Sequence, residues 1–276
     1  MDILTCYFNP CKYKSRLENY LKFREKLNRP LITVELSFDG DFDIPDAIHI
    51  SGSDNNIMWQ KERLLNIALH HSNSENFAYI DCDVFFDDDN WYDRAIEKLK
   101  DYHVVRLFDS TTYLNNKMEV HNVIKDIPPH VKMNGIAWAY RRDILSCGLY
   151  DKCIAGQGDS LIYCALGDEW SNLAFSHLLA KTMPVKLLED FLKWSAYTCR
   201  NSIKVCSIEN NCFHYFHGHP NNRKYYEVSK MLSDHNFDPN RDIFINDDGI
   251  YEWSNRDIND KMIKYFYDRK EDEAIS

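Results

Sequence analysis

The chain has 276 residues, 44% apolar and 14% aromatic, enough for one large domain or one domain with a small addition. Its 33 basic and 43 acidic residues leave a net charge of −10, a poor basis for sequence-independent nucleic-acid binding, which neutralises phosphates with Lys and Arg. The nine cysteines are scattered, odd in number and without a CxxC pair, which argues against a disulfide framework or a structural zinc site and fits free thiols in a reducing cytosol.

Residues 2–8 read as a short apolar strand, broken by Asn9-Pro10, and lack the basic region and long apolar core of a signal peptide. Leu17, Tyr20, Leu21, Arg24 and Leu27 give helical spacing over 15–27. A strand over 31–38 stops at the turn signal Asp39-Gly40, and 48–50 is a third strand candidate. A helix over 58–70 carries Trp59, Leu64, Leu65 and Ala68. Residues 77–86 form an apolar run read as one buried strand, with Asp81 and Asp83 where it leaves the sheet. A helix over 91–99 and a strand over 104–108 follow. Alternating strands and helices with short links indicate an α/β sandwich with a mostly parallel central sheet.

After Leu114 the rhythm changes. Two prolines fall in 127–130, a strand over 134–140 leads into 141–147, and a helix opens near Ser160. Further helices are expected over 171–181 and 187–198. A hairpin over 242–245 and 250–253 turns at Asn246-Asp247-Asp248-Gly249, and a charged helix over 257–270 closes the pattern. No stretch approaches the ~20 apolar residues that span a bilayer, so a cytoplasmic location is expected, in the host cytoplasm if the source is a virus.

Four segments carry chemistry. Thr5-Cys6-Tyr7-Phe8-Asn9-Pro10 is a strand followed by a polar turn, where Tyr7 can stack on a base or ribose or sit in the core. Asp81 and Asp83 are two residues apart, so in an extended backbone both carboxylates face one cation. Paired hard oxygen ligands suit Mg²⁺ or Mn²⁺, although Asp87, Asp88 and Asp89 also make a plain acidic turn conceivable. Gly156-Gln157-Gly158-Asp159 lets backbone approach a ligand, with Asp159 either a functional carboxylate or an ordinary helix cap. Finally, His214, His217 and His219 fall within six residues and precede Arg223 and Lys224. Imidazole completes divalent-metal shells, and the two cations can hold phosphate.

Taken in order, these segments resemble a GT-A fold glycosyltransferase, most closely the small enzymes of bacteriophages, large viruses and bacterial surface-glycan loci. The matching residues are 59–66 (WQKERLLN), 79–84 (YIDCDV), 135–138 (GIAW), 148–151 (GLYD), 155–159 (AGQGD), 217–225 (HGHPNNRKY) and 249–253 (GIYEW), so the likeness runs end to end. The resemblance implies a Rossmann-like nucleotide-diphospho-sugar transferase sandwich. Residues 1–230 would form its catalytic domain, with a nucleotide-binding part at 1–115 and an acceptor part at 116–230. Residues 231–276 would be a hairpin-and-helix appendage. It further implies a metal-dependent enzyme moving a sugar from a nucleotide-sugar donor, expected to be a UDP-sugar, to a hydroxyl acceptor on a glycan. Asp83, with Asp81 and His217, would hold Mn²⁺ or Mg²⁺. Thr5, Tyr7, Asn9, Glu35, Lys61, Arg63, Arg223 and Lys224 would border the donor, and Trp138 and Gly158 the acceptor. Asp159 would be the base of an inverting reaction, although Gln157 between the glycines departs from the inverting pattern.

Three other classes come into question, of which a sugar nucleotidyltransferase would carry a Gly-rich, Arg/Lys-containing N-terminal loop that residues 5–13 lack. A haloacid-dehalogenase-like phosphatase would use Asp81 as a nucleophile, but its motif follows the first strand, whereas here about eighty residues precede it. A binding module would keep the fold without turnover, which Asp81, Asp83 and Asp159 together speak against. Among acceptors, modified bases of phage DNA form the alternative to a glycan, and the acidic chain tilts against them.

Overall fold

The protein is described by a computed structural model covering residues 1–125, 135–167, 183–199 and 202–273. Its strands are β1 (Asp2–Phe8), β2 (Ile32–Ser37), β3 (Ile48–Ser51), β4 (Asn76–Ile80), β5 (Val84–Phe86), β6 (Val104–Arg106), β7 (Ser110–Leu114), β8 (Val120–Lys125), β9 (Ala137–Arg141), β10 (Val205–Ser207), β11 (Asn211–His214), β12 (Ile243–Ile245) and β13 (Tyr251–Trp253). The helices are α1 (Lys14–Leu27), α2 (Lys61–His70), α3 (Trp91–Lys98), α4 (Gly158–Gly167), α5 (Val185–Thr198), α6 (Tyr225–Asp234) and α7 (Arg256–Asp268). The expected helix over 171–181 and the prolines of 127–130 lie outside the described residues.

Seven strands form the central sheet in the order β10-β6-β9-β4-β1-β2-β3. All run parallel except β9, which lies antiparallel between β4 and β6. The expected α/β architecture with a mostly parallel sheet is borne out. Alternation along the strands builds a core on each face. Leu4, Phe77, Tyr79, Trp138 and Tyr140 point to one side, where α2 adds Leu64, Leu65 and Ala68. Ile3, Tyr7, Ala78, Ile80, Ala137 and Ala139 point to the other, where Tyr20 and Phe23 of α1 and Trp91 and Ala95 of α3 cover them.

Three expectations need correction. The run 77–86 is two strands: β4 ends at Ile80, a turn occupies Cys82 and Asp83, and β5 joins a second sheet. That sheet, in the order β5-β11-β7-β8, was not read from the sequence at all. The helix expected from 58 begins at Lys61. Residues ahead of it are bound elsewhere: the Trp59 N–H donates to Ile154 O, and the Gln60 side chain exchanges hydrogen bonds with the Tyr251 backbone.

Residues 231–273 hold the end of α6, the β12–β13 hairpin and α7, and buried side chains of these elements belong to the main core. Trp253 Nε1 donates to Ile57 O, and Phe266 stacks on Trp59, with ring centroids 6.3 Å apart. Beyond α7, the Asp272 carboxylate accepts the N–H groups of Lys14 and Ser15, capping the first turn of α1.

Candidate functional site

β1 has β2 on one side and β4 on the other, so chain connections diverge between β1 and β4. In open α/β sheets ligands bind outside the carboxyl ends of the strands at such a point. A cavity of about 420 Å³ opens there, lined by Cys6, Tyr7 and Phe8 from β1 and by Ile80–Asp83 after β4.

The second sheet decides what meets Asp83. β11 pairs antiparallel with β5, placing His214 opposite Val84, and the Tyr215 N–H donates to Asp83 O (2.9 Å). The Asp83 carboxylate then faces two imidazoles: His214 Nε2 lies 3.8 Å from Oδ1, and His217 Nδ1 lies 2.9 Å from Oδ2. His214 Nδ1 donates to Tyr215 O (2.8 Å), which leaves Nε2 to offer its lone pair. Asp83, His214 and His217 each offer a ligand atom within 4.8 Å of the others.

Electrostatics suits a cation at this point. Burial and the adjacent Arg223 guanidinium push His217 down to about 3, so the ring is neutral, as metal ligation requires. Burial opposes ionisation of Asp83, but His214, His217 and Arg223 outweigh it and hold the carboxyl well below the usual range. Asp83 Oδ1 is buried without a hydrogen-bond partner. Orphaned buried polar atoms are rare in folded proteins, and a divalent ion would satisfy it. The donor set therefore fits a metal.

Asp81 goes elsewhere. The turn at Cys82 and Asp83 interrupts the extended backbone on which a shared orientation rests, and Asp81 has a partner of its own. Asp81 Oδ1 pairs with Lys61 Nζ at 2.6 Å. Burial raises its pKa to about 6, against the pull of the ammonium. Lys61 Nζ also lies 3.7 Å from Asp159 Oδ2, at the first turn of α4. Asp159 Oδ1 accepts the Ser160 N–H (2.7 Å). Behind them, burial pushes Glu62 up to about 8, so this carboxyl is protonated at neutral pH.

The remaining wall comes from both ends of the described chain. Arg16 donates to Glu271 through Nε (2.6 Å) and a terminal nitrogen (2.8 Å), and to Phe8 O through the other (2.7 Å). Arg269 Nε donates to the same carboxylate at 2.5 Å. Two guanidinium groups against one carboxylate leave this wall net positive.

No protein-family model matches the chain, and no curated protein does. Solved structures do. A mannosyltransferase from Pyrobaculum calidifontis, solved with GDP-Man and Mn²⁺, is 12% identical with a TM-score of 0.45; the match covers 85% of this chain and 64% of that one. S. aureus TarS 1–349, solved with UDP, is 11% identical over 86% of this chain and 68% of that one, with a TM-score of 0.43. HddC from Yersinia pseudotuberculosis is 12% identical over 54% and 80%, with a TM-score of 0.32. At this distance the likeness concerns the course of the chain alone.

Of the residues expected at the site, the cavity gathers Tyr7, Lys61, Asp81, Asp83, Asp159, His217 and Arg223. Others are committed to structure. Thr5 donates to Ile80 O (2.7 Å), and the Asn9 side chain closes the turn to Tyr13. Glu35, buried, accepts the N–H groups of Asp43 and Ile44. Arg63 binds Gly249 O and Asp151, Lys224 reaches Asp268, and Trp138 lies in the core against Tyr163. Gly158 abuts the Glu62 carboxylate rather than the cavity. His219 accepts the Asn221 N–H as a cap. Sequence reasoning missed Arg16, Tyr113, Arg269 and Glu271 at the wall. Only long-range pairing brings them there, and no local spacing marks them.

Proposed function

We propose that this chain is a divalent-metal-dependent glycosyltransferase taking a nucleotide-sugar donor and a hydroxyl acceptor, with inversion at the transferred carbon. The observation that carries the reading is the Asp83–His214–His217 cluster, with its orphaned Asp83 Oδ1, in the same cavity as Asp159. Two imidazoles with one carboxylate favour Mn²⁺ over Mg²⁺, because nitrogen ligands suit later first-row ions better than Mg²⁺. A bound ion would supply Lewis-acid stabilisation of the diphosphate leaving group.

The chain's own groups account for the rest. Asp159 takes the proton of the acceptor hydroxyl as that oxygen forms its bond to the anomeric carbon. The bond from that carbon to the phosphate oxygen breaks, and its electron pair stays on the nucleoside diphosphate. Arg223 beside the cluster, and the net positive Arg16–Glu271–Arg269 wall, favour the charge that builds there. A positioned base contributes roughly 10²–10⁴-fold. The glycan acceptor, and a UDP- rather than a GDP-sugar, belong to this reading as expectations from the sequence resemblance.

Thermal unfolding with UDP-, GDP-, CMP- and dTDP-sugars, each with Mn²⁺ or EDTA, tests it. One nucleotide raising the Tm only with metal, and losing that effect in Asp83→Ala, is the expected result. Stabilisation by no nucleotide, together with hydrolysis of simple phosphate monoesters, would replace this reading by the phosphatase one.

A further inference from the structure

Asp159 is held by more than its own helix. Gly135 lies against its carboxylate so closely that a Cβ built at Gly135 would stand 2.0 Å from Asp159 Oδ2 and 2.9 Å from its Cγ. No side chain other than hydrogen fits at that position while Asp159 keeps its place. Across the same carboxylate stands the Lys61 ammonium, itself buried and fixed by Asp81 at 2.6 Å. The Tyr79 ring lies 5.3 Å from Lys61 Nζ, so the ammonium is walled in on its apolar side. Oδ1 is occupied by the Ser160 N–H. The carboxylate is thus located by a bare backbone, a cation and one amide.

The charges around it are consistent with that role. Asp81 and Asp159 share one ammonium, and the third nearby carboxyl, Glu62, is kept protonated by burial. Lys61 therefore faces two anions rather than three, and it ties Asp81 after β4 to Asp159 on α4.

We propose that Lys61 and Gly135 are positioning residues for Asp159, the ammonium drawing the carboxylate into line and the bare Cα giving it room. This inference rests on the proposed role of Asp159 as base. A misplacement of about 1 Å can cost about 10²-fold in rate, and Gly135→Ala forces at least that displacement without touching Asp83, His214 or His217. Gly135→Ala, Lys61→Met and Lys61→Arg are to be compared with the wild type in steady-state transfer with the donor identified by thermal unfolding. Nucleoside-diphosphate binding with Mn²⁺ is measured alongside by calorimetry. The expected result is a kcat lower by about 100-fold or more in Gly135→Ala and Lys61→Met, with nucleotide affinity unchanged in Gly135→Ala and partial recovery of kcat in Lys61→Arg. A Gly135→Ala enzyme with wild-type kcat, or a loss confined to donor KM, would overturn the inference. Absence of transfer by the wild type itself would instead remove the functional reading beneath it.

Discussion

Three histidines stand within six residues, and their surroundings give them three different tasks. His214 is oriented by its bond to Tyr215 O, His217 is kept neutral between Asp83 and Arg223, and His219 caps the short 3-10 turn at Pro220–Arg223. On the proposed reading, replacing His214 or His217 by Ala removes a ligand and should weaken Mn²⁺ binding by at least about 100-fold, the upper end of what even outer-sphere partners cost. His219→Ala should leave Mn²⁺ affinity unchanged. Titration of Mn²⁺ by electron paramagnetic resonance separates the three. Equal losses in all three variants would show that the loop, and not its ligand atoms, sets the affinity.

At the scale of elements, the loop that follows β11 depends on the tail that follows α7. Gly218 has φ +95°, and a Cβ there would stand 2.9 Å from Glu271 Cα. Gly218→Ala combines left-handed backbone with a clash against main chain that has no flexible end to yield. It should cost about 1–3 kcal/mol in urea unfolding, and it should weaken Mn²⁺ binding through its neighbour His217. A variant as stable as wild type would mean that the tail does not press on this loop. The same elements show where the sequence is legible. β1, β2 and β4 are apolar runs buried on both faces, and they stand out by composition alone. β5, β8 and β10 are short or exposed strands whose residues carry no clear period. With the second sheet hidden, the turn at Cys82 and Asp83 was hidden too. An i, i+2 rule holds for extended backbone, and a turn inside the motif breaks it. Asp83, His217 and Asp159 remained readable because their chemistry is local; Gly135 was visible only as part of a motif, since the close approach that gives it meaning comes from a residue 24 positions away.

At the scale of the whole molecule, Glu271 lies between Arg16 and Arg269 and joins the two ends of the described chain. Burial opposes its ionisation, but the two guanidinium groups prevail and depress its folded pKa far below the unfolded value. A depressed carboxylate contributes stability that is present above about pH 4.5 and lost as pH falls toward the folded pKa. Glu271→Gln leaves buried guanidinium groups without their counter-charge and should cost about 3–5 kcal/mol at pH 7. That deficit should narrow as the pH drops below about 4.5. A stability gap that stays constant from pH 7 to pH 3 would deny the ion pair this role.

The pairing of Arg16 with Glu271 spans 255 residues, and that has a bearing on biosynthesis. Domains tend to form from the N-terminal side as a chain leaves the ribosome. Here β1 and α1 emerge early, yet the guanidinium of Arg16 has no carboxylate to meet until residue 271 is free. A nascent chain halted anywhere before Arg269 lacks one face of the cavity and the cap of its first helix. Completion of the cavity is in this way tied to the emergence of residues 269–271, whichever order the rest of the fold takes.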